Sequence, residues 1–387
     1  MIVKEFVKHF KPFVFLALLL MSCSTYLSAQ NKVDSLTDAV KNEMYKKLKH
    51  FTFGFYVDAY YNGTFRSKGD TSNIVPFSSN CPVQDQIRLN VAAIEISYTA
   101  DRVRGKLAIQ FGDAPNLLAS PQAQFIKNLR QANFGWRLFK KLWLDFGYFL
   151  NPVGIESSWP VLNYLSTVSV GGYYEPGNLL GVKLTWNVSD KFWGGIMVGN
   201  PYSLAYARNT HMAGLIFVYY TPIPRLTLNY NNFFGNQALT NAEVNTDILY
   251  NNFIVQYNPV DPLFLTGQLD FAAQTNSKLP PDTNKTATMF SGMIEAKFVF
   301  VEKYSVSARY EFFNDYDGFL SQEYIYNNQT RGLMTQGFSV GFEYKPIKIG
   351  YIRVEYKHLF AASGNNIFQS DTSDQQQSLV FTTGVRF

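Results

Sequence analysis

The chain contains little charge for its length. Asp, Glu, Lys and Arg make up 16% of its 387 residues, whereas a soluble protein usually carries about a quarter. The net charge is +5, and three of the lysines lie within the first eleven residues. Because nucleic-acid binding requires a strongly basic surface, we predict no nucleic-acid partner.

Cysteine and histidine are also scarce. The two cysteines, Cys23 and Cys81, and the four histidines give no basis for a disulfide framework or for a metal centre with several Cys or His ligands. His211 and His358 are far apart in sequence, and no phosphate-binding loop or HExxH motif occurs. We predict no catalytic residue, no metal and no cofactor.

Long apolar runs are missing after the N-terminal region. No window of about 18 apolar residues occurs there, so membrane-spanning helices are not expected. Phe and Tyr are nevertheless abundant, with 34 and 25 copies. Low charge and many aromatic side chains suit a membrane protein, and a closed β-barrel also satisfies every backbone polar group inside a bilayer.

Residues 1–29 have the pattern of a secretory signal peptide. Three lysines precede an apolar run from Phe13 to Met21, and a small-residue cleavage site ends at Ala29. The alternative is a lipoprotein signal with the lipid on Cys23, and the sequence leaves it open. Residues 30–50 are predicted to form a short periplasmic segment with helical spacing, and a plug or an oligomer contact is the alternative.

From residue 51 onward the chain is a series of segments of about ten residues with alternating polarity. In residues 102–111 the apolar side chains share one face, and Arg102, Arg104 and Lys106 share the other. A shift by one residue would turn three cations towards lipid, at a cost of about 6–12 kcal/mol. The same alternation recurs in residues 141–150, 180–188, 304–312 and 338–345.

Long and short connections alternate along this region. Seven short turns, near residues 100–101, 139–140, 189–190, 222–224, 259–262, 301–302 and 346–348, separate eight long polar loops, residues 62–87, 113–130, 151–176, 200–210, 236–246, 274–286, 314–334 and 361–377. The pattern predicts an all-β fold: a transmembrane, antiparallel up-and-down β-barrel of about 16 strands over residues 51–387, with short periplasmic turns and long extracellular loops. We interpret the final Phe387 as the C-terminal signal that barrel-assembly machinery recognises.

Several stretches resemble a known family. They are Phe55–Tyr61, Asn90–Gly112, Lys141–Phe149 and Tyr173–Pro176, and they are similar to the OmpL-like β-barrel porins. The resemblance covers the chain from about residue 50 to the C-terminus. It implies a barrel in the outer membrane of a Gram-negative bacterium, with a pore, and it supplies no substrate and no catalytic residue.

The inward phase of the strands places charged side chains on a predicted pore wall. The twelve cations are Arg102, Arg104, Lys106, Arg137, Lys141, Lys183, Lys297, Arg309, Lys345, Arg353, Lys357 and Arg386, and the eight acids are Asp58, Glu95, Asp145, Asp270, Glu295, Glu311, Glu343 and Glu355. The excess of four cations predicts a weak preference for anions. The alternative is a lumen held closed by ion pairs between these side chains.

The loop of residues 151–176 is long enough to fold inward and constrict the pore, with Glu156, Trp159 and Glu175 as candidate residues; a further strand over 169–176 is the alternative.

We expect a porin for passive diffusion of small hydrophilic solutes. Other functions left open are a specific transporter for hydrophobic or anionic solutes with an N-terminal plug, an outer-membrane enzyme, and a structural barrel with a filled lumen. The expected partners are outer-membrane lipid, the barrel-assembly machinery and small solutes, and the protein is a monomer or a trimer.

Overall fold

A computed structural model describes residues 48–65, 73–118, 124–200, 211–238, 242–321, 323–326, 329–362, 366–369 and 373–387. The predicted signal peptide of residues 1–29, and nearly all of the predicted periplasmic segment of residues 30–50, lie outside these residues. Both therefore stay predictions.

Sixteen strands form one closed antiparallel barrel, which confirms the predicted fold class. They are β1 (Phe51–Thr64), β2 (Ile87–Thr99), β3 (Val103–Phe111), β4 (Leu129–Phe139), β5 (Leu142–Phe149), β6 (Leu179–Asn187), β7 (Phe192–Gly199), β8 (Ala213–Ile223), β9 (Leu226–Asn236), β10 (Asp247–Val260), β11 (Leu263–Gln274), β12 (Ala287–Val301), β13 (Tyr304–Asn314), β16 (Met334–Ile347), β17 (Gly350–Ala361) and β18 (Gln375–Arg386). The connection between β13 and β16 contains a short hairpin, β14 (Tyr324–Tyr326) and β15 (Gln329–Arg331). The pairing of β1 with β18 closes the barrel.

Alternation separates an outer apolar face from an inner face. Leu107, Phe253 and Ile294 point outwards and expose 46%, 51% and 68% of their surface. Ala108 and Asn252, their neighbours in the chain, point inwards and are fully buried. Because strand side chains alternate between the two faces, one register turns the apolar set of each strand outwards. The resulting apolar band suits lipid.

Helical structure is short in the part of the chain that the structure describes. It comprises α1 (Asp113–Leu118), α2 (Gln124–Lys127), α3 (Val170–Tyr173) and a 3₁₀ turn at Pro160–Leu162. None of these helices is long and apolar enough to cross a membrane. The alternative of a further strand over 169–176 is wrong, because α3 lies there and Ser169 is its N-cap: the Ser169 Oγ accepts a hydrogen bond from Gly172 N at 3.0 Å.

The barrel closes at the C-terminus. Phe55 N donates a hydrogen bond to Phe387 O at 2.7 Å, and Phe387 N donates to Phe55 O at 3.0 Å. The two rings stack with their centroids 5.6 Å apart, and Phe387 is 63% exposed on the outer face. The last residue therefore completes the seam between β18 and β1.

Replacing Phe387 by Ala should reduce the amount of folded barrel in the membrane, because it removes the aromatic contact at the seam and the terminal ring. The measurement is the amount of protein in the membrane fraction that migrates as a folded barrel on an unboiled detergent gel. The matched control is Phe300→Ala, which removes another outward-facing ring, 47% exposed, away from the seam. Equal amounts of the two variants would show that Phe387 acts only as a lipid-facing side chain.

Candidate functional site

The connection between β5 and β6, residues 150–178, folds into the barrel, and we call it the inner loop. Near its start, Gly154 N donates a hydrogen bond to Asn252 Oδ1 on β10 at 3.2 Å. Farther along, Val161 N donates to Tyr56 OH on β1 at 3.3 Å. The inner loop thus runs through the lumen and contacts strands that are far apart around the barrel.

Two inward-facing carboxylates hold the middle of the inner loop. Glu355 on β17 accepts hydrogen bonds from Ser166 N at 2.6 Å and from Thr167 N at 3.0 Å. Glu311 on β13 accepts a hydrogen bond from Val170 N at 2.5 Å. Both carboxylates are buried. Because hydrogen bonds to a charged acceptor are stronger than neutral ones, these acids fix the backbone of the inner loop against the wall.

Arg309 on β13 joins the inner loop to the wall by an ion pair. Its Nη1 lies 2.7 Å from Glu156 Oε1 and donates to Thr167 O at 2.9 Å. Its Nη2 lies 3.4 Å from Glu311 Oε1. The Arg309 side chain has no exposed surface and that of Glu156 is 5% exposed. A charge buried to this extent requires such partners, since an unpaired one is strongly destabilising.

Two further predicted wall cations, Arg353 and Lys357 on β17, also bind the inner loop. Arg353 Nη2 lies 2.6 Å from Glu343 Oε2 and donates to Asn163 O at 3.0 Å. Lys357 Nζ donates to Val168 O at 2.7 Å. Both cations therefore donate hydrogen bonds to the inner loop and do not face open solvent.

Trp159 packs another part of the inner loop against the wall. Its Nε1 donates a hydrogen bond to Gln110 Oε1 on β3 at 2.9 Å, and only 2% of the residue is exposed. The Arg130 guanidinium lies 4.0 Å from the centroid of the indole ring and donates from Nη1 to Ser158 Oγ at 2.6 Å. The indole therefore faces the wall and acts as an anchor of the inner loop.

Sequence reasoning missed Arg130. It assigned this residue to the end of a polar loop, and regular alternation with Gln131 would point it outwards. The structure has a β-bulge here, since Ala108 pairs with Gln131 and Ile109 pairs with Leu129. A bulge inserts one residue and redirects its side chain, so no signal in the alternation could have found this inward-facing cation.

Glu175, near the end of the inner loop, lies beside an acid on β11. Its Oε1 accepts a hydrogen bond from Gln268 Nε2 at 2.5 Å, and the same nitrogen lies 2.9 Å from Asp270 Oδ2. Gly154 has a φ of +82°, and the Glu175 carboxylate occupies the space where a Cβ of that residue would lie. Burial, reinforced by repulsion from Asp270, raises the pKa of the Glu175 carboxyl well above its usual value of 4.5.

A cavity of about 360 Å³ remains beside strands β2–β8, and we call it the chamber. The inner loop contributes Leu150 and Pro152 to its lining. The charged lining residues are Arg104, Lys106, Lys183 and Asp145, and the aromatic ones are Tyr98, Trp193 and Phe217. The chamber is thus an open part of the lumen with both charged and aromatic side chains in its lining.

Positive charge exceeds negative charge in the chamber. Arg104 forms an ion pair with Asp145, and Lys106 Nζ lies 3.0 Å from Glu95 Oε1. The Arg104 and Lys106 side chains remain 30% and 31% exposed, whereas Asp145 is 2% exposed. Lys183 lies opposite Asp145 in the pairing of β5 with β6, and it has no carboxylate within 4.0 Å in the described part of the chain.

The other predicted wall cations lie at the end of the barrel with the short turns. Arg102 precedes β3 and lies in the turn, and Arg137 pairs with the exposed Asp101. The predicted row of cations on this strand is therefore shortened to the two residues within β3. Lys297 Nζ lies 2.8 Å from Glu343 Oε1. Lys141, Lys345 and Arg386 are at the same end.

Seven of the eight predicted wall acids are buried. They are Asp58, Asp145, Asp270, Glu295, Glu311, Glu343 and Glu355. Glu95, which pairs with Lys106, is the eighth, and its side chain is 20% exposed. Most of the predicted wall acids are thus buried, whereas the cations that line the chamber stay accessible. The predicted excess of positive charge is therefore unevenly distributed over the wall.

The family model described as beta-barrel porin-2, OmpL-like, matches residues 50–387. The chain belongs to this porin family. It is therefore an outer-membrane β-barrel of a Gram-negative bacterium, in agreement with the closed barrel and its apolar outer face. None of the curated proteins compared with the chain matches it.

Solved porin structures have the same fold as this family member. An anion-selective porin from Comamonas acidovorans is 10% identical, with a TM-score of 0.54, over 87% of this chain and 99% of that chain. The outer-membrane channel DcaP of Acinetobacter baumannii is 11% identical, with a TM-score of 0.57, over 87% and 97%. OmpF of Salmonella typhi, in complex with daunomycin, is 14% identical, with a TM-score of 0.55, over 87% and 97%. At these identities the likeness shows the fold alone.

Removing the charge of Glu156 should loosen the inner loop, because the buried Arg309 loses a charge-assisted hydrogen bond worth about 1.5–3 kcal/mol. We expect Glu156→Gln to raise the rate at which chymotrypsin cuts the folded barrel after Tyr164 by about tenfold or more, since cutting follows the population of the opened loop. Fragments identified by mass spectrometry report that rate.

The control for this variant is Asp282→Asn, which breaks an exposed ion pair in which Lys285 Nζ lies 2.9 Å from Asp282 Oδ1. Such a pair contributes about 0–1 kcal/mol, so the cutting rate after Tyr164 should not change. The same rate in Glu156→Gln as in the control would contradict the anchoring role of Glu156.

The raised pKa of Glu175 predicts a pH dependence. A carboxyl group whose folded pKa lies above its unfolded pKa stabilises the fold below the unfolded value, here 4.5, and loses that contribution as the pH rises through the folded value. Glu175→Gln keeps an uncharged side chain at every pH. Its thermal unfolding temperature should therefore equal that of the wild type at about pH 4 and exceed it in alkaline buffer.

The matched control is Glu243→Gln, which removes an exposed carboxyl group from the loop between β9 and β10. Its unfolding temperature should follow that of the wild type across the pH series. A difference between Glu175→Gln and wild type that is constant with pH would refute the assignment.

Proposed function

We propose that the protein is a porin for passive diffusion of small hydrophilic solutes, with a weak preference for anions. The proposal rests on one observation: most of the inward-facing acids are buried, whereas several inward-facing cations stay accessible. The inner loop binds the acids of β13 and β17, whereas Arg104, Lys106 and Lys183 line the chamber. A barrel of sixteen strands is wide enough to hold an aqueous channel.

The lining of the chamber supports a hydrophilic solute. Besides the charged groups it contains the polar residues Ser97, Thr99, Gln131, Asn133 and Thr185. These side chains can replace water around a solute through hydrogen bonds. The inner loop supports the exclusion of large solutes, because it crosses the lumen and is fixed to the wall by buried ion pairs.

A small excess of positive charge is enough for a weak preference. Salt screens charges over about 10 Å at 0.1 M, and a narrow passage with low-dielectric walls focuses the field of its lining cations. The preference should therefore increase at low salt. One solved structure of the same fold is described as an anion-selective porin, so the fold is compatible with this property.

We also infer that the barrel has no enzymatic role. His358 lies on the outward phase of β17, where its Nε2 is 3.0 Å from Gln375 Oε1 and its ring is 3.9 Å from that of Phe360. The imidazole therefore packs on the outer surface of the barrel and does not face the lumen. Family membership supports the same inference.

Planar-bilayer recording tests the proposal. The wild type should conduct, and its zero-current potential in a KCl gradient should report chloride as the favoured ion. Lys183→Glu should move that potential towards potassium without abolishing conductance, because Lys183 is the chamber cation with no carboxylate within 4.0 Å in the described part of the chain. Lys285→Glu, a change of the same charge at an exposed loop position, should leave the potential nearly unchanged.

Two results would overturn the proposal. A wild type that prefers potassium would show that the accessible lumen charge has been assigned wrongly. A folded wild type that does not conduct would favour the structural barrel with a filled lumen.

A further inference from the structure

The chamber has two unlike walls. Its basic wall, defined by Arg104, Lys106 and Lys183, belongs to β3 and β6, and its aromatic wall, defined by Trp193 and Phe217, belongs to β7 and β8. The walls meet where β6 pairs with β7, because Lys183 is the direct partner of Met197 there. A cationic group and an apolar surface are therefore neighbours on the inner face of the barrel.

The aromatic wall is a continuous patch. The rings of Trp193 and Tyr219 are parallel, with an interplanar angle of 5° and centroids 4.0 Å apart. The Trp193 ring also lies 5.9 Å from the ring of Phe217. Gly195 makes room for this arrangement: a Cβ at that position would lie 2.7 Å from the Phe217 ring. The patch thus depends on the missing side chain at Gly195, an inward-facing position of β7.

Trp193 differs from most large apolar side chains that face the lumen. Met197, two strand positions farther along the inward phase of β7, is 2% exposed, and Phe217 is 3% exposed. Trp193 retains 37% exposure and lines the chamber. An indole edge or face that remains accessible inside a polar cavity is a stacking surface for a flat apolar group.

The two walls are joined by a short path of paired, inward-facing residues. Thr185 lies two residues from Lys183 on the inward phase of β6, and it pairs with Gly195, which in turn pairs with Phe217. Neighbouring strands are about 4.8 Å apart, and alternate residues along a strand are about 6.7 Å apart. A molecule with a carboxylate near Lys183 and an attached ring over the accessible Trp193 indole would lie along this path, inside the cavity that both side chains line.

We infer that the chamber is a binding site for organic anions that carry an aromatic ring, such as arenecarboxylates. The carboxylate binds among Arg104, Lys106 and Lys183, and the ring packs on the patch around Trp193. The inference rests on the proposed function, because it treats the chamber as a binding site on the path that solutes take through the pore. Binding at a site on the solute path has to be weak, since a solute that binds tightly does not leave the pore.

Neither feature of the chamber alone selects this class of solute. The basic wall by itself attracts any anion, acetate and chloride included. The aromatic patch by itself can stack on a sugar ring. An aromatic carboxylate uses both the basic wall and the aromatic patch. The contact between two aromatic rings contributes about 0.5–1.5 kcal/mol beyond the free energy of burying their apolar surface. We therefore expect benzoate to bind about fivefold more tightly than acetate.

Calorimetric titration of the folded full-length barrel in detergent, with benzoate, acetate and glucose as separate probes, tests the inference. Trp193→Ala should lower benzoate affinity about fivefold, to the level of acetate, whereas Trp193→Phe should retain most of it. Lys183→Gln should weaken both carboxylates. The matched control is Trp186→Ala, which removes an outward-facing indole, 57% exposed, on the neighbouring strand β6 and should change nothing.

The outcomes separate this inference from the proposed porin function. Benzoate binding that depends on Trp193 in a barrel that does not conduct would leave the site in place and remove the diffusion function. An anion-preferring channel that binds benzoate no better than acetate would overturn the site alone. Equal benzoate affinity in Trp193→Ala and Trp186→Ala, or tighter binding of glucose than of benzoate, would also overturn it.

Discussion

Glu311 and Glu355 accept backbone N–H groups of the inner loop, and Arg309 binds the Glu156 side chain that the inner loop supplies. Each of these charges is buried, and each alone would be strongly unfavourable in the interior of the barrel. Wall and inner loop are therefore complementary: the acids need the N–H donors, and the arginine needs the loop carboxylate. This mutual requirement keeps a long connection inside the lumen instead of above it.

The same contacts decide which lumen charges a solute meets. A count of inward-facing residues treats all charges as equal, yet the acids of β13 and β17 are used to hold the inner loop. Lys183 and the exposed parts of Arg104 and Lys106 stay on the open side. Attachment of the loop and the proposed charge preference thus have one physical origin. A change that frees the loop should also expose negative charge to the lumen.

Local pattern was sufficient for the barrel and insufficient for its interior. The alternation in residues 102–111 predicts a strand with one lipid face, because side chains alternate in any strand, and the structure has β3 over Val103–Phe111. The ion pair between Arg309 and Glu156 joins residues 153 positions apart. No periodic signal encodes such a contact. A β-bulge such as the one at Arg130 reverses the inferred face of a residue, so alternation is misleading there.

The apolar residues inside the lumen show how the two ends of the barrel differ. Towards the long loops, inward-facing Leu215, Phe233 and Phe313 are buried in one cluster with Phe77 and Phe368, which come from two different loops. These residues are removed from water, which is the ordinary reason for an apolar side chain to face inwards. Trp193 is not covered in this way, although loops elsewhere supply apolar side chains to the lumen. Trp193 packs against Tyr219 and Phe217, yet 37% of its surface stays accessible. Its accessible surface is what the inferred site for aromatic anions uses, because the chamber places it in the same cavity as Lys183.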